Sequence, residues 1–84
     1  MVAMERVKGT NLHDLIRSFR EAVSNSQWQS AMDYARQIMP LEPRNRDVWE
    51  SMAGLFLDAN CIADGQKTID FLEKNSANTY FDNQ

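Results

Sequence analysis

Apolar residues recur at spacings of three and four in four stretches of this chain, and the second pair of stretches follows the first after 34 residues. Spacings of three and four put side chains on one face of a helix, and no stretch alternates long enough to make a half-buried strand. The expected fold class is all-α. The first stripe is Leu12, Leu15, Ile16, Phe19, Ala22 and Val23, and the second is Trp28, Ala31, Met32, Ala35, Ile38 and Met39. The third is Val48, Trp49, Met52, Ala53, Leu55, Phe56 and Ala59. It is the broadest, which predicts the most buried helix. The fourth carries Ile62, Ile69, Leu72 and, to one side, Phe71. Gly65 shares that face, where a small residue lets two helices approach closely.

The residues between the stripes read as helix ends. Asn11 is placed as an N-cap, with Asp14 three residues later near the positive helix end. Ser24-Asn25-Ser26 breaks the first stripe, and Ser26 with Gln29 has the spacing of a capping box. Pro40 and Pro43 end the second helix, because proline removes a backbone donor and clashes inside a helix. Asn45 is the expected N-cap of a third helix from Arg46. Asp58-Ala59-Asn60 is a connection in which Asn60 suits the left-handed conformation of a tight turn. A fourth helix is expected from about Ile62 to Lys74. Residues 1–10 form a mixed lead, 11–76 a helical domain with units of about 12–45 and 46–77, and 77–84 a polar tail.

The 34-residue offset holds position by position. Leu15 corresponds to Trp49, Ala22 to Phe56, Ser26 to Asn60, Trp28 to Ile62, Ala31 to Gly65, Ala35 to Ile69 and Ile38 to Leu72. Over residues 12–77 the chain resembles the tetratricopeptide repeat, a 34-residue helix–turn–helix. Trp49, Met52, Ala53 and Phe56 look like the Trp, Leu, Gly and Tyr run of that family's first helix. Gly65 and Ile69 look like the Ala and Phe of its second, and Ala31 and Pro43 match its small residue and terminal proline. The first unit departs from the pattern at Ser18, Phe19 and Ala35, and Ala77 replaces the second terminal proline. The resemblance implies four antiparallel helices in two stacked helix–turn–helix hairpins, a fragment of an α-solenoid. An ordinary helix bundle also alternates large and small residues at helical spacing.

Repeats of this kind expose a concave surface built mainly from each unit's first helix. Here it would carry His13, Ile16, Arg20 and Val23 from one helix, and Asp47, Glu50, Gly54, Leu57 and Asp58 from the other. Such a groove suits an amphipathic helix or an extended peptide. The same residues also describe a plain solvated face. Some family members grip a terminal carboxylate there with Lys and Asn. Those residue types are missing at the matching positions, and Asp47 and Glu50 would repel an acidic ligand. A neutral or basic protein segment is the expected partner. The resemblance implies an adaptor, scaffold or small dedicated chaperone, by analogy one of a bacterial secretion system. The alternative is a structural helical-bundle subunit acting through a homodimer or heterocomplex. Two repeats are few for stability, so the chain's own ends are candidate caps, Tyr80 and Phe81 among them.

Other chemistries fit poorly. The chain has 9 basic and 12 acidic residues for a net charge of −3, which disfavours nucleic acid and anionic lipid. One His and one Cys cannot assemble a zinc site, and no glycine-rich phosphate loop is present. His13 before Asp14, and Cys61 ahead of the fourth helix, are the two conceivable reactive groups. Neither has companions in sequence, so no enzyme, no metal and no cofactor is expected. Residues Met1 to Leu12 lack the apolar core of a signal peptide, no run is long enough to span a membrane, and the single cysteine suits the reducing cytoplasm.

The register carries a direct test. Trp49→Ala is expected to cost about 3–5 kcal/mol if the ring is buried between helices, read as a fall in Tm. An unchanged Tm would mean that the register is wrong.

Overall fold

Where Asn11 turns its side chain onto the first helical turn, the described chain begins. The computed structural model describes residues 11–81. Asn11 is an extended N-cap whose Oδ1 accepts from the Asp14 backbone N–H at 2.9 Å. Helix α1 follows over Leu12–Ser24 and α2 over Trp28–Ile38, succeeded by a 3-10 turn at Met39–Leu41. Helix α3 spans Arg46–Asp58 and α4 spans Ile62–Asn75. Among the described residues there is no strand, and the fold is all-α. The chain divides between Leu41 and Glu42 into two compact units. In the first, α1 packs on α2; in the second, α3 packs on α4.

The two hairpin turns have the same backbone hydrogen bonds, 34 residues apart. In the first turn, Asn25 donates to the Glu21 carbonyl, Ser26 to Val23, Gln27 to Ala22 and Ala31 to Gln27. In the second, Ala59 donates to Leu55, Asn60 to Leu57, Cys61 to Phe56 and Gly65 to Cys61. The left-handed residue recurs as well, Ser26 at φ 58° and Asn60 at φ 65°. So does the residue before the second helix, Gln27 at φ −91° and ψ 74°, Cys61 at φ −91° and ψ 73°. The capping box expected at Ser26 is not formed. Ser26 closes the turn in a left-handed conformation, and Gln27, without a side-chain bond, occupies the cap. Asn45 sits at the start of α3 as expected but likewise makes no side-chain cap bond.

Inside the hairpins, side-chain volumes trade places. The first unit buries Phe19 with Ala22, and the second buries Ala53 with Phe56 at the same two positions. A second trade involves the contact between helices. Val23 and Ala31 of the first unit become Leu57 and Gly65 in the second. A Cβ on Gly65 would lie 2.8 Å from Leu57 Cδ2 and 3.2 Å from its Cγ, so the larger Leu57 occupies the space that the missing Cβ leaves. Close packing makes such reciprocal changes necessary, because interiors hold few voids.

Two apolar stripes are not buried as their spacing predicts. Trp28, the first residue of α2, is 50% exposed, and Ile62, its counterpart in α4, is 56% exposed. The buried line of α4 is Gly65, Thr68 and Asn75. Thr68 Oγ1 donates to the Asp64 carbonyl at 2.8 Å, and Asn75 Nδ2 donates to the Phe71 carbonyl at 3.0 Å. Each buried donor is thus satisfied one turn back within the helix, which removes most of the cost of burying it.

The trade at Phe19 can be tested. Phe19→Ala is expected to cost about 3–5 kcal/mol in urea unfolding. Adding Ala22→Phe should recover part of that loss, since the second hairpin holds its ring at this position. No recovery would show that the two cores are not interchangeable.

Candidate functional site

The residues singled out in the sequence occupy one outward face of each hairpin's first helix. On α1 these are His13, Ile16, Arg20 and Val23, at spacings of three, four and three. Their 34-residue counterparts on α3 are Asp47, Glu50, Gly54 and Leu57, with Asp58 beside the last. His13 and Arg20 are exposed, whereas Ile16 and Val23 are only partly so. Asp47, Glu50, Gly54, Leu57 and Asp58 are all exposed. The two faces differ in character. The α1 face holds a cation, Arg20, between two half-buried aliphatic residues. The α3 face holds three carboxylates around Leu57, an apolar side chain 42% exposed.

Glu50 and Asp58 make no hydrogen bond or ion pair among the described residues. Helix dipole reasoning accounts for Asp47 in the first turn, where negative charge is favoured. It gives no reason for Asp58 at the last turn, where the helix end is negative. Local folding therefore does not explain that carboxylate.

Gly54 is the second unexplained residue on this face. It lies inside α3, and a Cβ there would meet nothing within 4 Å. Its φ is not positive, and Arg20 stands at the matching place in α1. Nothing in the hairpin requires glycine at this point. Its lack of a side chain leaves a gap on the face between Glu50 and Leu57.

His13 belongs to the first unit and Cys61 to the second. Asp14 does not orient His13. Its Oδ1 accepts from Arg17 Nη2 at 2.8 Å and its Oδ2 from Asn11 Nδ2 at 3.1 Å. Cys61 is partly exposed at the α3–α4 turn, outside any disulfide, and its Sγ–H donates to the Ala59 carbonyl at 3.9 Å. Among the described residues no three His, Cys, Asp or Glu side chains converge as metal ligands. No described helix is long and apolar enough to cross a membrane.

A second cluster, in the second unit, was only half visible in the sequence. Tyr80 and Phe81 fold back onto α4. Their rings meet the Phe71 ring edge-on, at centroid distances of 5.6 and 5.9 Å. Phe71 in turn stacks on Trp49 at 4.0 Å and 11°. The Arg44 guanidinium carbon lies 5.1 Å from the Tyr80 ring centre, and that of Arg46 lies 5.4 Å from the Phe81 centre. The aromatic pair stood out in a polar tail, but the two arginines did not. The available signal was Arg46 in the first turn of α3, where a cation opposes the helix dipole. Its contact with the Phe81 ring offsets that local cost.

No family model, curated protein or solved structure matches this chain.

The open space at Gly54 generates a stability prediction. Gly54→Ala is expected to stabilise the chain by about 0.5–1 kcal/mol, the usual helix-interior gain. Thermal unfolding should show a Tm higher by a few degrees. A lower Tm would mean that Gly54 has a structural role in the hairpin.

Proposed function

We propose that this chain is a protein-interaction module of tetratricopeptide type, an adaptor, scaffold or small dedicated chaperone. It takes a neutral or basic peptide or helix of another protein on the outward faces of its hairpins' first helices. The observation that carries the reading is the 34-residue recurrence of the whole hairpin turn, down to its left-handed residue and each of its hydrogen bonds. Supporting it are Glu50 and Asp58, which make no hydrogen bond or ion pair among the described residues, and the apolar Leu57 exposed between carboxylates. A basic amphipathic segment would pair its cations with those carboxylates and rest an apolar side chain on Leu57. Catalysis, metal and cofactor have no part in this reading, nor do nucleic acid or membrane. The single cysteine suits a cytoplasmic setting.

A structural role through self- or hetero-association is the second reading. It is favoured by Trp28 and Ile62, large apolar residues exposed at the same repeat position of both hairpins. Light scattering across concentration separates the two. A chain that stays monomeric, with Trp28→Ser unchanged in mass, sinks self-association through this position.

The interaction reading is tested by titrating the full chain with a basic amphipathic helical peptide and with its acidic charge-reversed twin. Saturable binding of the first alone is expected, weakening with salt. A Glu50→Lys, Asp58→Lys double variant should weaken it by about ten-fold or more, the scale of paired interface charges. Equal binding of both peptides, or an indifferent double variant, would remove the acidic face from the site.

A further inference from the structure

We propose that Asn78–Phe81 is a displaceable strap, filling in cis a site on the second unit that accepts an aromatic pair, Tyr followed by Phe, from a partner chain. The contacts have the form of peptide recognition. Arg44 Nε donates to the Tyr80 main-chain carbonyl at 3.0 Å, a contact with backbone that any peptide offers. The Tyr80 hydroxyl donates to the Glu42 carbonyl, a contact that selects tyrosine over phenylalanine at the first position. Phe81 is only 8% exposed, packed edge-on against Phe71 and covered by Arg46, which selects an apolar ring at the second. Two adjacent aromatic residues thus have distinct seats, one with a polar end and one without.

The strap is held by side chains. Among the described residues, no backbone–backbone hydrogen bond is made from Ala77 through Phe81. Its remaining bonds are local, Asn78 Nδ2 to Asn75 Oδ1 at 3.1 Å and the Tyr80 N–H to Asn78 Oδ1 at 2.8 Å. Ser76 to Thr79 are exposed. Segments with few backbone bonds open at lower free energy than the helices they cover. The hairpin turn itself does not need Tyr80 or Phe81. The first unit builds the same turn with Leu15 at the position of Trp49 and Gln37 at that of Phe71. When the strap leaves, Trp49 keeps its own anchor, an Nε1–H bond to the Pro43 carbonyl at 2.8 Å. The vacated seats then offer an aromatic shelf and two guanidinium groups. This inference stands apart from the acidic face on α3, since it uses none of its residues.

The test uses the full chain carrying Tyr80→Ala and Phe81→Ala, titrated with a peptide matching Asn78–Gln84 and followed by Trp49 emission. Saturable binding is expected, abolished when both aromatics of the peptide are alanine. The unaltered chain should bind at least about ten-fold more weakly, because its tethered strap competes at an effective concentration near millimolar. A helical double variant that fails to bind, or that binds the alanine peptide equally well, overturns the proposal. Should the double variant lose its helical signal, relaxation-dispersion NMR of the unaltered chain decides. Exchange at Tyr80 and Phe81 while the Trp49 indole stays protected, increased by added peptide, supports the strap. Release only together with global unfolding overturns it.

Discussion

The second unit is organised around the burial of one indole. Trp49 is 2% exposed, yet its N–H is satisfied by the carbonyl of Pro43, and its face is covered by Phe71. A buried indole donor without an acceptor would carry a penalty of about 1–3 kcal/mol. The position of Pro43, itself buried, therefore matters as much as the ring. One side chain ties the segment before α3 to α4, and through Phe71 to the returning tail. Stacked and edge-on aromatic contacts of this kind add about 0.5–1.5 kcal/mol each beyond their burial. Among the described residues of the first unit no indole is buried. That unit's buried residues include Phe19, Ile38, Ala31 and Ala35.

A shared backbone with unequal side chains is the main physical theme of the molecule. The turn hydrogen bonds repeat one for one, while the cores exchange volume between Phe19 and Ala22 and between Ala53 and Phe56. The outward faces diverge further, with a cation at Arg20 where the second hairpin has Gly54. Backbone hydrogen bonding constrains the turn tightly, whereas a packed core constrains only total volume and shape. Solvated positions are constrained least, so differences there are where specificity for a partner can reside.

Much of the fold was legible because helices declare themselves by spacing. The four helices, the Asn11 cap and the left-handed Asn60 all follow from local rules. Ser26 misled because a serine three residues before glutamine resembles a capping box, while the turn needed a left-handed residue there. The buried line of α4 was hidden because Thr68 and Asn75 are polar by type. Only the structure reveals that each donates to a carbonyl one turn back. The stripe places Trp28 on the apolar face of α2, but it stands in the first turn, where it is half exposed. Of the candidate site, the positions on each helix face were legible from spacing. The lack of a partner for Glu50 among the described residues and the empty space beside Gly54 depend on what surrounds them, which periodicity does not encode.

The unequal surroundings of the two tryptophans have a practical consequence. Trp49 sits in a dry aromatic stack in the second unit, and Trp28 is half in water in the first. An indole emits at shorter wavelength when shielded from water, so each hairpin carries its own optical label. Loss of the short-wavelength component reports the opening of one hairpin, and changes in the long-wavelength component report events at the other. A single emission spectrum, taken during unfolding, can thus reveal whether two repeats of one backbone melt together or one after the other.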